Sequence, residues 1–249
     1  AVADPQWVAT IDISRSGALD TVKDEKHASH PLIKWIETSS ELHRLMAIRV
    51  PELIAYQNEA YAKEYVDFVQ KVYEKEQAIC PGSTDLSEAV ARYLYKLMAY
   101  KDEYEVARLH LKTDIQNTVQ EQFGDNARVH YMLHPPIFKK FGLGKKLKLG
   151  KWFDNMYRLL LSMKQLRGTA FDVFGYDHVR KVERALIPAY RDLVEKAINN
   201  LSPDGYSDAV KLANLPDMIR GYDEVKLGNV EKFRNEVQNL GYSIELPSE

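Results

Sequence analysis

Lys101, Glu105 and Arg108 stand four and three residues apart, a spacing that sets alternating charges along one side of a helix. Asp102 and Glu103 add two carboxylates beside them. The same projection carries Leu97, Lys101, Tyr104, Arg108 and Leu111, so Lys101 and Arg108 fall at the border of a buried face, where charges need partners. Two further arginines precede glycines, in Arg167-Gly168 and Arg220-Gly221. Glycine after a helix lets the backbone reverse, and an arginine just before it can reach back with a planar two-pronged donor that lysine cannot copy. Arg167 or Arg220 is therefore expected to meet the acidic groups of residues 102–105 in a partly buried network. Such a network either braces helices or contacts a substrate, a cofactor or a neighbouring domain.

A second charged set is basic. Lys139, Lys140, Lys145, Lys146, Lys148 and Lys151 lie in a stretch without acids, so a formal net charge of −2 leaves −8 on the rest of the chain. That patch suits an acidic protein partner, such as an electron carrier steered by complementary charge. Nucleic acid fits it less well, because Phe141 and Trp152 are its only stacking aromatics and the remainder is acidic.

Other chemistry is poorly served. Gly144-Lys145 and Gly150-Lys151 lack the upstream glycine and the following Ser or Thr of a phosphate loop. His130 and His134 have no evident carboxylate partner, there is no G-x-S-x-G elbow, and Cys80 beside Pro81 has no obvious base. Gly124-Asp125 with a distant Asn155 gives only an outline of the magnesium-binding motif of thiamine diphosphate enzymes, and it reads as a helix end and a turn. One cysteine excludes an internal disulfide, a cysteine-ligated zinc site and a complete iron–sulfur cluster.

The elements that must position these residues are mostly helical. With 45% hydrophobic and 28% charged residues the chain has the composition of a soluble globular protein, and no apolar run is long enough to span a membrane. No signal peptide opens it, so the cytoplasm is the expected compartment. Residues 1–31, beginning at Ala1, read as a linker from a preceding domain; residues 32–240 read as a helical domain and 241–249 as a tail. One helix is expected from Pro51, in its first turn, to about Gln77, with Leu53, Ile54, Tyr61, Tyr65, Phe68, Val69 and Val72 as its apolar stripe. After Cys80-Pro81-Gly82-Ser83, a second is expected with Asp85 and Glu88 as a capping pair and a stripe from Leu86 to Leu111, broken or kinked near Lys101. A short helix over 112–123 and a small antiparallel hairpin within 127–150, its first strand at Arg128 to Leu133, should follow. Helices resume over 152–165, 176–201, 206–212 and 222–240.

Five ordered stretches carry a resemblance: Lys96 to Leu109, Arg49 to Gln57, Leu166 to Tyr176, Glu183 to Ile187 and Leu215 to Lys226. Together they resemble the C-terminal region of the large fused indolepyruvate ferredoxin oxidoreductases. The resemblance implies a parent enzyme that oxidatively decarboxylates an arylpyruvate with magnesium-held thiamine diphosphate, coenzyme A and iron–sulfur clusters, and passes electrons to ferredoxin. It places no catalytic residue in this chain. The implied role is a mainly α structural and interaction domain on the parent's catalytic domains, with docking of ferredoxin as the alternative.

Overall fold

The computed structural model describes residues 30–37, 40–112, 131–133, 147–149 and 154–247. Within them the chain is mainly helical. Ser40 opens α1 (Glu41–Tyr56) by accepting a hydrogen bond from the His43 amide at 3.1 Å, and Asn58 opens α2 (Glu59–Ile79) through the Tyr61 amide at 2.9 Å. The single helix expected from Pro51 to Gln77 is thus two. Pro51 sits inside α1, where its ring removes one hydrogen bond, and the chain turns instead at Gln57.

The turn after α2 uses Gly82 at φ +84°, and α3 (Asp85–Met98) follows. Its start is capped from a distance: the fully buried Glu76 of α2 accepts from the Leu86 and Ser87 amides at 2.8 and 3.0 Å and from the Tyr206 hydroxyl at 2.6 Å. Asp85 and Glu88 both lie in the first turn, but Glu88 accepts from Thr84 Oγ1 rather than closing a capping box. α3 ends at Met98, and α4 (Glu103–Lys112) begins after a four-residue break. The Tyr61 and Tyr56 hydroxyls satisfy the carbonyls of Met98 and Tyr100 at that break, so the chain can leave the helix without stranding buried acceptors.

Tyr131–Leu133 (β1) pairs antiparallel with Leu147–Leu149 (β2), Tyr131 opposite Leu149. The hairpin expected over 127–150 is not described beyond those six residues, and the helix expected over 112–123 lies outside the described residues from 113 onward. α5 (Asp154–Ser162) runs into a 3-10 turn, Met163–Leu166. α6 (His178–Asn199), α7 (Tyr206–Asn214) and α8 (Asp223–Asn239) complete the helices.

α3 is the axis of the core, packed by α1, α2, α6 and α7. Leu86, Val90, Leu94, Leu97 and Met98 are buried along it, with Ala89 and Ala91 small enough to admit neighbours on both flanks. α4 stands apart from this cluster and packs on α5. The charged residues of interest lie where the α4–α5 pair meets the α3 bundle. Among the described residues no helix is long and apolar enough to cross a membrane.

Candidate functional site

The break before α4 creates the site. Asp102 Oδ1 accepts from the Glu105 amide at 2.8 Å, making Asp102 the cap of α4. Arg167, just past the 3-10 turn, closes on the same carboxylate: Nε donates to Oδ2 at 2.5 Å and Nη2 to Oδ1 at 2.9 Å. Its third nitrogen, Nη1, donates to the Tyr56 carbonyl and to Gln57 Oε1, each at 2.8 Å. One guanidinium therefore joins the end of α1, the start of α4 and the segment after α5. It lies 3.7 Å above the Tyr56 ring centroid. The two side chains are 6% and 4% exposed. Burial works against the Arg167 charge, but Asp102 together with Tyr56 and Tyr100 outweighs it and holds the guanidinium above its ordinary pKa.

Arg108 makes a second fork one turn along, with Nε and Nη2 donating to the two Glu105 oxygens at 2.8 Å each and Nη2 also to Glu52 Oε2 at 2.7 Å. Lys112 completes the row by donating to Glu52 Oε1 at 2.6 Å. The hydrogen bonds from Arg108 to Glu105 are the first cause of its raised pKa, ahead of the opposing burial. Lys101 does not join. The helix starts two residues after it, so the ladder it was expected to head is broken, and its side chain is exposed.

Glu103 turns the other way, toward α6, where Arg180 Nη2 reaches it at 3.4 Å while Nη1 donates to Glu183 Oε2 at 2.6 Å. Lys226 of α8 donates to the other Glu183 oxygen. Burial pushes the Glu103 carboxyl up against the pull of Arg180, and its Oε2 has no hydrogen-bond partner among the described residues. Arg220 takes no part in any of this. It pairs with Asp217 three residues earlier at 2.7 and 2.8 Å, with its side chain 69% exposed.

Spacing gave no hint of the residue that orders the 167–177 loop. Asp172, buried, accepts from the Gly168 and Gly175 amides, from Tyr104 Oη at 3.2 Å and from Arg184 Nη1 at 3.0 Å. Arg184 also donates to the Gly175 carbonyl. A Cβ on Gly175 would lie 2.3 Å from Arg184 Nη1 and 2.6 Å from Asp172 Oδ2, so any side chain there would have to push that pair aside. Phe174 packs edge-on to Tyr104, so the loop and α4 share one floor.

The structure thus brings together Asp102, Arg167, Glu105 and Arg108, sends Glu103 to a neighbouring pair, and leaves Lys101 and Arg220 outside. Of the basic patch, Lys139, Lys140, Lys145, Lys146 and Lys151 lie outside the described residues and Lys148 is placed only by its backbone on β2; Gly124-Asp125, His130 and His134 are likewise outside. No curated protein and no solved structure matches the chain. Residues 42–239, which hold both forks, the Asp172 loop and the eight described α-helices but for the first residue of α1, match the family of unknown function DUF6537, and the chain belongs to that family.

Proposed function

We propose that the chain is a structural and interaction domain of a thiamine diphosphate- and iron–sulfur-dependent 2-oxoacid:ferredoxin oxidoreductase of the indolepyruvate type, and that it packs on the parent's catalytic domains. One observation carries the reading. The four most exposed large apolar side chains among the described residues are Phe171 at 76%, Val225 at 65%, Tyr176 at 61% and Tyr222 at 59%, and all four fall in the Leu166 to Tyr176 and Leu215 to Lys226 stretches of the resemblance. Water gives such groups no partner, whereas a domain interface does. Phe171 and Tyr176 sit on the loop that Asp172 holds from within, so they are displayed with little left to order on docking.

The charged forks fit the same reading, since each guanidinium is committed to a carboxylate of its own domain. The parent's oxidative decarboxylation would draw thiamine diphosphate, coenzyme A and clusters from other domains, because cluster ligation needs several thiolates and this chain has Cys80 alone. No chemical step is assigned to it.

The test separates the domain from the rest of the oxidoreductase. The catalytic part, expressed as its own polypeptide, should co-purify with this chain and reduce ferredoxin with an arylpyruvate only when they associate. A Phe171→Ser/Tyr176→Ser/Val225→Ser triple variant should keep its thermal midpoint and lose that association. If the catalytic part ignores the unaltered chain and works as well without it, the reading is wrong.

A further inference from the structure

A groove of about 730 Å³ runs between α1, α3, α4 and the segment entering α8. Seven basic side chains line it against four acidic ones, and the acids are already engaged. Glu52 and Glu105 hold Arg108, Glu183 holds Lys226, and Asp217 holds Arg220. Among the described residues Arg92 has only Glu41, at 3.8 Å, and that carboxylate is forked to Arg44 at 2.6 and 2.7 Å. Three cations are left with no carboxylate within 4 Å among the described residues: Arg49, Lys96 and Lys101.

Each of the three is held differently. Arg49 lies 4.6 Å above the Tyr95 ring centroid, and its buried Nε has no hydrogen-bond partner among the described residues. Lys96 donates to the neutral carbonyls of Pro216 and Asp217 at 2.8 and 2.9 Å, which orient its ammonium without cancelling it. Lys101 is exposed at the rim. Tyr93, Tyr95, Tyr100 and Tyr222 line the same groove.

An excess of three positive charges, a guanidinium among them, and four tyrosines in one groove describe a complementary ligand. It carries at least two negative charges, offers oxygens to a planar fork, and has a flat ring for the tyrosines. We propose that this groove binds an organic phosphate of nucleotide size, its phosphates among Arg49, Lys96 and Lys101 and its ring against the tyrosines. Burial lowers the Lys96 pKa to about 8, and a bound dianion would draw it back up. The site does not depend on which polypeptide the chain serves.

The experiment is calorimetric titration of the full chain at low salt with ADP, pyrophosphate and adenosine. ADP should bind more tightly than pyrophosphate, adenosine should not bind measurably, and ADP affinity should fall as salt rises. Arg49→Gln and Lys101→Gln should each weaken ADP about tenfold, the loss expected for one charge-assisted contact. Lys101 is exposed, so its variant keeps the comparison valid should Arg49→Gln fail to fold. Lys63→Gln, which removes a cation of an exposed pair on α2, should change nothing. Absence of ADP binding, equal affinity for ADP and pyrophosphate, or undiminished affinity in Lys101→Gln would overturn the proposal.

Discussion

At the scale of single residues, two arginines with the same local signature have opposite fates. Arg167 and Arg220 each precede a glycine of positive φ, +77° and +93°, so the chain reverses after both. What separates them is where the nearest carboxylate lies. Asp217 is three residues before Arg220 and captures it in the open, whereas Arg167 has no such neighbour and extends to Asp102, 65 residues away. Removing one member of the buried pair leaves the other charge unpaired, so Arg167→Ala or Asp102→Ala should cost about 3–5 kcal/mol. Arg167→Lys should recover only part of that, because one ammonium cannot span both Asp102 oxygens and the end of α1. Arg220→Ala should stay within about 1 kcal/mol of the unaltered chain. Urea midpoints at unchanged slope provide the comparison. Equal losses for Arg167→Ala and Arg220→Ala would mean that the fork contributes nothing beyond a surface pair.

At the scale of elements, boundaries written in proline and glycine were legible and boundaries written in caps were not. Cys80-Pro81-Gly82-Ser83 marks the end of α2 in any reading of the chain. The α1–α2 and α3–α4 breaks carry neither Gly nor Pro, and the apolar period runs through both, from Leu53 to Tyr61 and from Leu97 to Tyr104. Asn58 and Asp102 are the caps, and in isolation each looks like an ordinary helix-surface residue. Pro51 misled because a proline in mid-helix was less expected than one in a first turn. The site was legible to the same degree: the acids of 102–105, Arg108 and Arg167 could be named, but Asp172 acquires its role only from tertiary placement. Glu76 is the strongest case. It caps α3 across the α2–α3 turn and also receives the hydroxyl of Tyr206, 130 residues away. Glu76→Ala leaves two buried amides unsatisfied and should lower stability by about 3 kcal/mol, while Tyr206→Phe, losing one hydrogen bond, should lose about 1. Amide hydrogen exchange at Leu86 and Ser87 locates the effect. Unchanged protection there in Glu76→Ala would show that α3 does not need this cap.

At the scale of the whole molecule, tyrosine hydroxyls form a recurring joint. Tyr56, Tyr61, Tyr65 and Tyr190 each donate to a backbone carbonyl at a helix end or flank, and Tyr104 and Tyr206 donate to carboxylates. Burial, the first cause in every one of these six, raises the phenol pKa above its ordinary 10. The sign follows from proton counting: above pH 10 the unfolded chain releases phenolic protons that the folded chain keeps, so stability is intact below pH 10 and falls as pH rises past it. Tyr56, Tyr65, Tyr100, Tyr104 and Tyr190 are all buried and share the upward shift. Five such groups give a slope of about 7 kcal/mol per pH unit, enough to consume an ordinary domain stability within about two units. Lys96 works in the opposite direction. Its folded pKa of about 8 lies below the 10.5 of an ordinary lysine, so between those values the unfolded state holds the extra proton and stability rises with pH. The thermal midpoint should therefore climb gently from pH 8 toward 10 and then collapse, and Lys96→Met should flatten the climb without moving the collapse. Tyrosinate absorbance and helical circular dichroism, followed together, decide it. Ionisation near pH 10 of more tyrosines than exposed ones such as Tyr176 and Tyr222 account for, with the helices intact, would show that these hydroxyls are not held as the structure places them.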